Sequence, residues 1–201
     1  MIPAAVEFDE ATHTYRVDGE RYPSVSEICD LMQIWSMLRE GKTWTVAREV
    51  LRAAAEFGTH VHEACHLDNL GQLDYDALDA NLRPFVDGWR KFLADLKGVV
   101  VASEIIVVSR SHKYAGRLDA LVRIRGKLWL IDIKATSAIP RTVGPQTAAY
   151  KHAHGDTKLR RRVVRLKEDG SYESKILEET TDFAYFDAAL KMARWFNMAG
   201  V

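Results

Sequence analysis

The chain has 201 residues, 47% of them apolar, and its 28 basic residues balance 28 acidic ones. This length and composition predict one globular domain with a hydrophobic core. Zero net charge gives no support for a nucleic-acid partner, which would need a locally basic surface. Two cysteines, Cys29 and Cys65, are too few for a disulfide framework or for a cysteine-ligated zinc or iron–sulfur site.

The first half of the chain, residues 1–97, is predicted to form a hairpin followed by helices. Asp18-Gly19 is a two-residue turn signal. Ser24 and Glu27 have the spacing of a capping box, which opens a helix. The predicted elements are a hairpin of Thr14–Val17 with Glu20–Tyr22, and helices over about 24–38, 42–67 and 75–96.

The second half, residues 98–201, is rich in β-branched residues at first and then alternates between strand and helix patterns. The predicted elements are strands over 99–108, 118–124 and 128–134, a helix over 144–154, a hairpin of 161–166 with 172–177, and a closing helix over 182–198. This order predicts an α/β or α+β fold, with a central mixed sheet flanked by helices.

The N-terminal sequence has neither the basic segment nor the apolar segment of a signal peptide. No run approaches the roughly 18 apolar residues of a membrane span. Together with the two cysteines, these features predict a cytoplasmic protein that does not cross a membrane.

Two neighbouring strands carry charged residues that are expected to share one face. If Arg125-Gly126 is a two-residue loop, Asp119 lies opposite Asp132. If the loop is shifted by one residue, Asp119 faces Lys134 instead. All three side chains lie on one face in both registers, because side chains alternate with period two. A three-residue loop would break this parity.

Two carboxylates on opposed strands lie roughly 5 Å apart at Cβ and repel each other unless something neutralises them. Lys134 alone could do so, or the side chains could be solvated. A divalent cation held by both aspartates is the alternative, and the apolar strand before Asp132 favours it, because a plain core strand does not end in charges. A cation with a lysine beside it is equipped to hydrolyse phosphodiesters.

These residues resemble the motifs of the PD-(D/E)xK nuclease superfamily, and most closely its RecB-like and Cas4-like exonucleases. The resemblance covers most of the chain. It rests on Gly58-x-x-x-His62, Glu104, Gly116-x-x-Asp119, Asp132-x-Lys134 and Gln146-x-x-x-Tyr150. It implies a restriction-endonuclease-like core with an N-terminal helical region, all within one nuclease domain.

The resemblance also implies roles for individual residues. It assigns the metal ligands to His62, Asp119, Asp132, the main-chain carbonyl of Ile133 and, as a further acidic residue, Glu104. Lys134 would assist the attacking water. Gln146 and Tyr150, one helical turn apart, would support that lysine or contact DNA.

The implied function is exonucleolytic hydrolysis of DNA with one or two Mg²⁺ or Mn²⁺ ions, in phage or bacterial recombination or DNA processing. The chain lacks the family's iron–sulfur cysteines and a helicase P-loop. We therefore expect no iron–sulfur cluster, and any unwinding would need a helicase partner. A single-strand-annealing protein is the other partner expected.

Two other functions remain open. His62, Glu63 and His66 fit the H-E-x-x-H pattern of zinc metalloproteases, in which the glutamate activates water. The sequence supplies no third zinc ligand at the usual positions after His66. A catalytically inactive DNA-binding module on the same fold is the second alternative. His66 itself could be an outer-shell, DNA-facing or solvated residue.

A basic cluster over 158–162, together with Arg165, is a candidate phosphate-binding surface. Such a charge run is also common on solvated edges.

Overall fold

The computed structural model describes residues 5–10 and 12–196, except for the side chains of residues 51, 53 and 54. A small antiparallel sheet comes first, and five helices and a larger sheet follow. The small sheet contains β1 (Val6–Asp9), β2 (Thr14–Val17) and β3 (Glu20–Tyr22). The helices are α1 (Val25–Arg39), α2 (Trp44–Asn69), α3 (Arg83–Leu96), α4 (Val143–His154) and α5 (Asp182–Trp195).

The larger sheet is mixed, as the sequence predicts. Its strands are β4 (Val99–Ser109), β5 (Tyr114–Ile124), β6 (Lys127–Lys134), β7 (Arg160–Leu166) and β8 (Tyr172–Ile176), in spatial order β4-β5-β6-β7-β8. Only β6 and β7 are parallel, and α4 connects them. The predicted class, an α/β fold with a central mixed sheet and flanking helices, is confirmed.

The sheet has helices on both faces. One hydrophobic cluster joins it to α1, α4 and α5, and a second joins it to α2 and α3. Leu130 of β6 belongs to the first cluster and Ile131 to the second. A strand covered on both faces explains why the sequence of β6 is an almost continuous apolar run.

The local signals at the start of the chain are confirmed. β2 and β3 form the hairpin around Asp18-Gly19, with Val17 opposite Glu20. Ser24 and Glu27 form a complete capping box at the start of α1. Strand β1, which pairs with β2, was not predicted, because its alternation of apolar and polar residues lasts for only four residues, three of which are exposed.

Two predicted elements differ from the structure. Helix α3 begins at Arg83, eight residues later than expected, and residues 75–82 form turns instead. Pro84 explains this start, since proline lacks an amide proton and is tolerated only in the first turn of a helix. Strand β5 begins at Tyr114, so Gly116 lies within the strand, opposite Val107, and not in a turn.

The closing helix ends at Trp195, and the last predicted residues, up to Met198, lie outside the described residues. Among the helices that the structure describes, none combines the length and the apolar character needed to cross a membrane.

Candidate metal centre

The hairpin of β5 and β6 has the first of the two predicted registers. Ile124 pairs with Lys127 across Arg125-Gly126, and both loop residues have positive φ, 49° and 76°. The paired residues continue as far as Ala120 and Ile131. Just beyond them, the main-chain N–H of Ile133 donates a hydrogen bond of 2.6 Å to the Asp119 carboxylate. This hydrogen bond holds the Asp119 side chain, which belongs to β5, beside the C-terminal end of β6.

Glu104 lies on the other side of Asp119, on strand β4. The neighbouring pairs, Ser103 with Ala120 and Ile105 with Leu118, place these two residues opposite each other. The φ angle of Glu104 is 54°, in the left-handed region, although the residue is neither glycine nor in a turn. Such a backbone costs roughly 1–2 kcal/mol and is found most often at functional sites.

His62 reaches both strands from helix α2. Its Nδ1 atom is 3.4 Å from a carboxylate oxygen of Asp119, and its Nε2 atom is 3.0 Å from the main-chain oxygen of Ile133. One potential ligand atom from each of His62, Glu104 and Asp119 lies within 4.8 Å of the other two. Three segments far apart in sequence thus converge at one point.

Asp132 and Lys134 form a separate ion pair beside this point. The Lys134 ammonium is 2.8 Å from Oδ2 of Asp132, whose side chain is only 1% exposed. Neither oxygen of Asp132 accepts a hydrogen bond of ordinary geometry from the described residues. Asp132 is not part of the cluster of His62, Glu104 and Asp119, although the resemblance implies that it is a metal ligand.

Opposite charges in the centre stabilise the ionised forms of Asp119, His62 and Lys134. Burial opposes ionisation of Asp119, but His62, Lys134 and the Ile133 N–H outweigh it and lower the pKa of Asp119. Burial likewise opposes a charged His62, and Asp119 outweighs it and raises the pKa of His62. Burial also disfavours the Lys134 ammonium, but the charges of Asp132 and Asp119 raise its pKa, so the lysine is a cation at neutral pH.

Two other carboxyl groups have pKa values that are raised toward neutral pH. Burial, reinforced by the charge of Asp119, raises the pKa of Glu104 to about 7. Burial also raises the pKa of Asp132 to about 6, although Lys134 opposes this shift. In both cases burial and a neighbouring negative charge disfavour the ionised form of the carboxyl group.

The centre lies in a cleft of about 650 Å³. Helix α4 contributes Gln146 and Tyr150 to its wall, and the Gln146 side-chain amide donates to the Tyr150 hydroxyl at 3.3 Å. Burial and the charge of Asp119 raise the pKa of Tyr150, so this hydroxyl keeps its proton. Gly58 of α2 also lines the cleft, and among the described residues no atom beyond the adjacent backbone of its own helix lies within 4 Å of the position where a Cβ would be.

His66 and Glu63 line the same cleft but are outside the ligand cluster. The Nδ1 atom of His66 is 2.6 Å from the Ser103 hydroxyl. Within the described part of the chain, the only group of three potential ligands is the one containing His62, Glu104 and Asp119. Among the described residues, the two histidines of H-E-x-x-H therefore do not share a third ligand.

Most arginines of the basic region, which comprises residues 158–162 and Arg165, contact other side chains of the protein. Arg161 is buried and makes a 2.8 Å ion pair with Asp182. Arg162 donates to Ser174, and Arg165 pairs with Glu173. Lys158 and Arg160 are the exposed members, and they lie at the start of β7, at the opposite end of the parallel pair from Lys134.

Several cleft residues were missed in the sequence, and three of them are charged or ionisable residues near Glu104 and Asp119. Glu10 and His13 come from the small sheet and its turn, and Arg117 lies two residues before Asp119. Arg117 contacts Glu104 through a 2.5 Å ion pair. Its position within Gly-Arg-Leu-Asp, on the same strand face as the aspartate, is a signal that could have identified it.

Comparison with known proteins gives no family model and no curated protein that matches the chain. The solved structures to which the chain is similar include the following three. SSO0001 has 15% identity and a TM-score of 0.46, over 86% of this chain and 75% of that one. LHK-Exo in complex with dAMP has 13% identity and a TM-score of 0.46, over 87% of each chain. The alkaline exonuclease LHK-Exo from Laribacter hongkongensis has 12% identity and a TM-score of 0.41, over 87% of this chain and 90% of that one. These values are too low to carry a conclusion about this chain.

Proposed function

We propose that the chain is a divalent-metal-dependent DNA nuclease. One observation carries the proposal: His62, Glu104, Asp119 and the Ile133 carbonyl converge in a cleft beside the ammonium of Lys134. His62 belongs to the helical half of the chain and Asp119 to the sheet. The two halves therefore act as a single nuclease domain.

The residues present suit a hard divalent cation. Carboxylate and carbonyl oxygens are the ligands that Mg²⁺ and Mn²⁺ prefer, and an imidazole nitrogen is acceptable to Mn²⁺. The ligands would be His62, Glu104, Asp119 and the Ile133 carbonyl. Asp132 is paired with Lys134 through Oδ2, so its Oδ1 atom, which has no hydrogen-bond partner among the described residues, would be the oxygen available to a cation. A bound cation would supply positive charge against the charge that develops on a phosphodiester during hydrolysis.

The protein's own groups complete the site. In the metal-free protein the charges of Asp132 and Asp119 raise the pKa of Lys134 against the effect of burial, and its ammonium would orient a water or stabilise negative charge on a phosphate oxygen. Asp132 holds that ammonium in place. Gln146 and Tyr150 present neutral hydrogen-bonding groups to whatever enters the cleft.

The finer function that we propose is exonuclease action with Mg²⁺ or Mn²⁺ in phage or bacterial recombination or DNA processing. The support is the set of sequence motifs and their meeting in one cleft. A cytoplasmic location and a helicase or single-strand-annealing partner belong to the same proposal.

The test is digestion of end-labelled linear, covalently closed circular and single-stranded DNA with each metal. We expect cleavage of the linear DNA with Mg²⁺ or Mn²⁺, none with a chelator, and no cleavage of the closed circle. Asp119→Asn should remove cleavage. Asp187→Asn, at a surface ion pair on α5, is the matched control and should retain it.

Full activity of Asp119→Asn would contradict the proposal. Absence of cleavage with any metal and any DNA would favour an inactive DNA-binding module. Cleavage of casein with Zn²⁺ and no cleavage of DNA would favour the protease.

A further inference from the structure

We infer that Arg117 is a positioning residue, which holds the carboxylate of Glu104 toward the metal centre. The small N-terminal sheet in turn holds Arg117 in place. This inference rests on the proposed metal centre and goes beyond it, because it gives β1 and its neighbouring turn a part in cation binding.

The contact between Arg117 and Glu104 is close and sheltered. The guanidinium Nε atom is 2.5 Å from Oε2 of Glu104, and the two side chains are 25% and 16% exposed. A carboxylate has two oxygens, so one can be held by the arginine while the other faces His62 and Asp119. Partners of this kind orient metal ligands, and their loss typically weakens metal binding about 10–100-fold.

Glu104 needs such a restraint more than an ordinary strand residue does. Its φ of 54° is unfavourable for any residue with a Cβ. Its carboxylate also lies opposite that of Asp119, and like charges on opposed strand positions repel. An isolated Glu104 would therefore gain by relaxing into an extended backbone that turns its side chain away. The ion pair with Arg117 opposes that relaxation.

Arg117 is supported from its other side by the N-terminal sheet. Its guanidinium carbon lies 5.1 Å from the centre of the Phe8 ring, and one of its terminal nitrogens is 3.4 Å from Glu10. The Glu10 side chain is 83% exposed, so solvent screens this ion pair and the ring contact is the firmer support. The Phe8 ring in turn stacks on the buried Tyr15 at 4.7 Å.

The positive charge of Arg117 by itself weakens metal binding, because a cation repels a metal ion. Its positioning of Glu104 has the opposite effect and strengthens metal binding. A charge-preserving substitution separates the two effects. Lysine keeps the positive charge but lacks the planar fork that can hold Glu104 while stacking on Phe8. Arg117→Lys therefore tests positioning alone. Arg123→Lys is the matched control, since Arg123 lies on the same strand but is exposed.

The experiment is calorimetric titration of the metal-free full-length protein with Mn²⁺, without DNA. We expect Arg117→Lys to raise the Mn²⁺ dissociation constant about tenfold or more and Arg123→Lys to leave it unchanged. We also expect Phe8→Ala to raise it, by a smaller factor. In a Glu104→Ala background, Arg117→Lys should have no further effect, because its route to the metal is gone.

Unchanged Mn²⁺ affinity in Arg117→Lys, with native circular dichroism, would overturn the inference. An equal additional loss in the Glu104→Ala background would overturn it too, since Arg117 would then act independently of Glu104. Wild-type protein that binds Mn²⁺ but leaves DNA intact contradicts only the proposed nuclease, and the variants still test the role of Arg117. Wild-type protein that binds no Mn²⁺ overturns the metal centre and this inference with it.

Discussion

The imidazole of His62 bridges two neighbouring strands: Nε2 lies 3.0 Å from the main-chain oxygen of Ile133 in β6, and Nδ1 lies 3.4 Å from the Asp119 carboxylate in β5. Because His62 is on helix α2, the packing of that helix on the sheet completes the centre. A histidine lying this close to a carbonyl and a carboxylate can give its lone pair to a metal without a large movement.

The two histidines of the H-E-x-x-H pattern should differ in importance. His62→Ala removes a proposed ligand, and we expect DNA cleavage to fall at least about 100-fold. His66→Ala removes only a contact with Ser103, and we expect a loss of less than about tenfold. Initial rates at saturating Mg²⁺ measure both effects. Equal and complete losses would instead support a paired zinc site.

Lys134 should contribute to folding through its ion pair with Asp132. Lys134→Met leaves a buried carboxylate without its partner, and we expect the metal-free protein to lose about 3 kcal/mol of unfolding free energy near pH 8. The loss should be smaller near pH 5, because Asp132, whose pKa is raised to about 6 by burial, can take up a proton there. Urea denaturation at the two pH values measures the difference. The double variant with Asp132→Asn should recover part of the loss, and a pH-independent loss would contradict this explanation.

The left-handed backbone at Glu104 should reverse the usual preference between alanine and glycine in a strand. Glycine adopts a φ of 54° without strain, so Glu104→Gly should be more stable than Glu104→Ala by about 1 kcal/mol. Both variants lack the carboxylate, which makes each the control for the other. Thermal denaturation of the metal-free proteins decides the order, and a more stable alanine variant would show that the strand relaxes at this position.

Glu104 should also make the stability of the metal-free protein depend on pH. Burial and the charge of Asp119 raise its pKa from 4.5 to about 7, so the folded protein binds this proton more tightly than the unfolded chain does. The resulting stabilisation is complete below about pH 4.5 and is lost as the pH rises through 7. We expect the melting temperature of metal-free Glu104→Gln to fall less than that of the wild type between pH 5 and 8. Parallel curves for the two proteins would contradict the shift.

Two glycines of the sequence motifs should respond to alanine in opposite directions. An added Cβ at Gly116 would lie 2.6 Å from the Tyr150 ring and 3.0 Å from Val25, and we expect Gly116→Ala to cost about 1–3 kcal/mol. At Gly58, inside helix α2, nothing lies within 4 Å, and we expect Gly58→Ala to gain roughly 0.5–1 kcal/mol. Urea denaturation of both variants tests the pair. A lower cleavage rate in the stable Gly58→Ala would show that the cleft needs this space for its substrate.

Local patterns were sufficient to predict much of the fold. The Asp18-Gly19 turn and the capping box at Ser24 depend on the conformations of adjacent residues, so they can be read directly from the sequence. The sequence left two registers open for the loop between β5 and β6, and the structure has the one with Arg125-Gly126 in the loop. The start of α3 was predicted too early, because the apolar spacing continues on the N-terminal side of Pro84 although the helix does not.

The sequence by itself determined which of the proposed site residues on β5 and β6 share a strand face, because side-chain alternation and turn geometry are local. Only the tertiary structure decided that Glu104 joins His62 and Asp119, while Asp132 turns to Lys134. These contacts depend on the left-handed backbone of Glu104 within β4, on the packing of α2 against β6 and on the burial of the ion pair between Asp132 and Lys134. They arise from contacts between segments distant along the chain, and no local pattern specifies them.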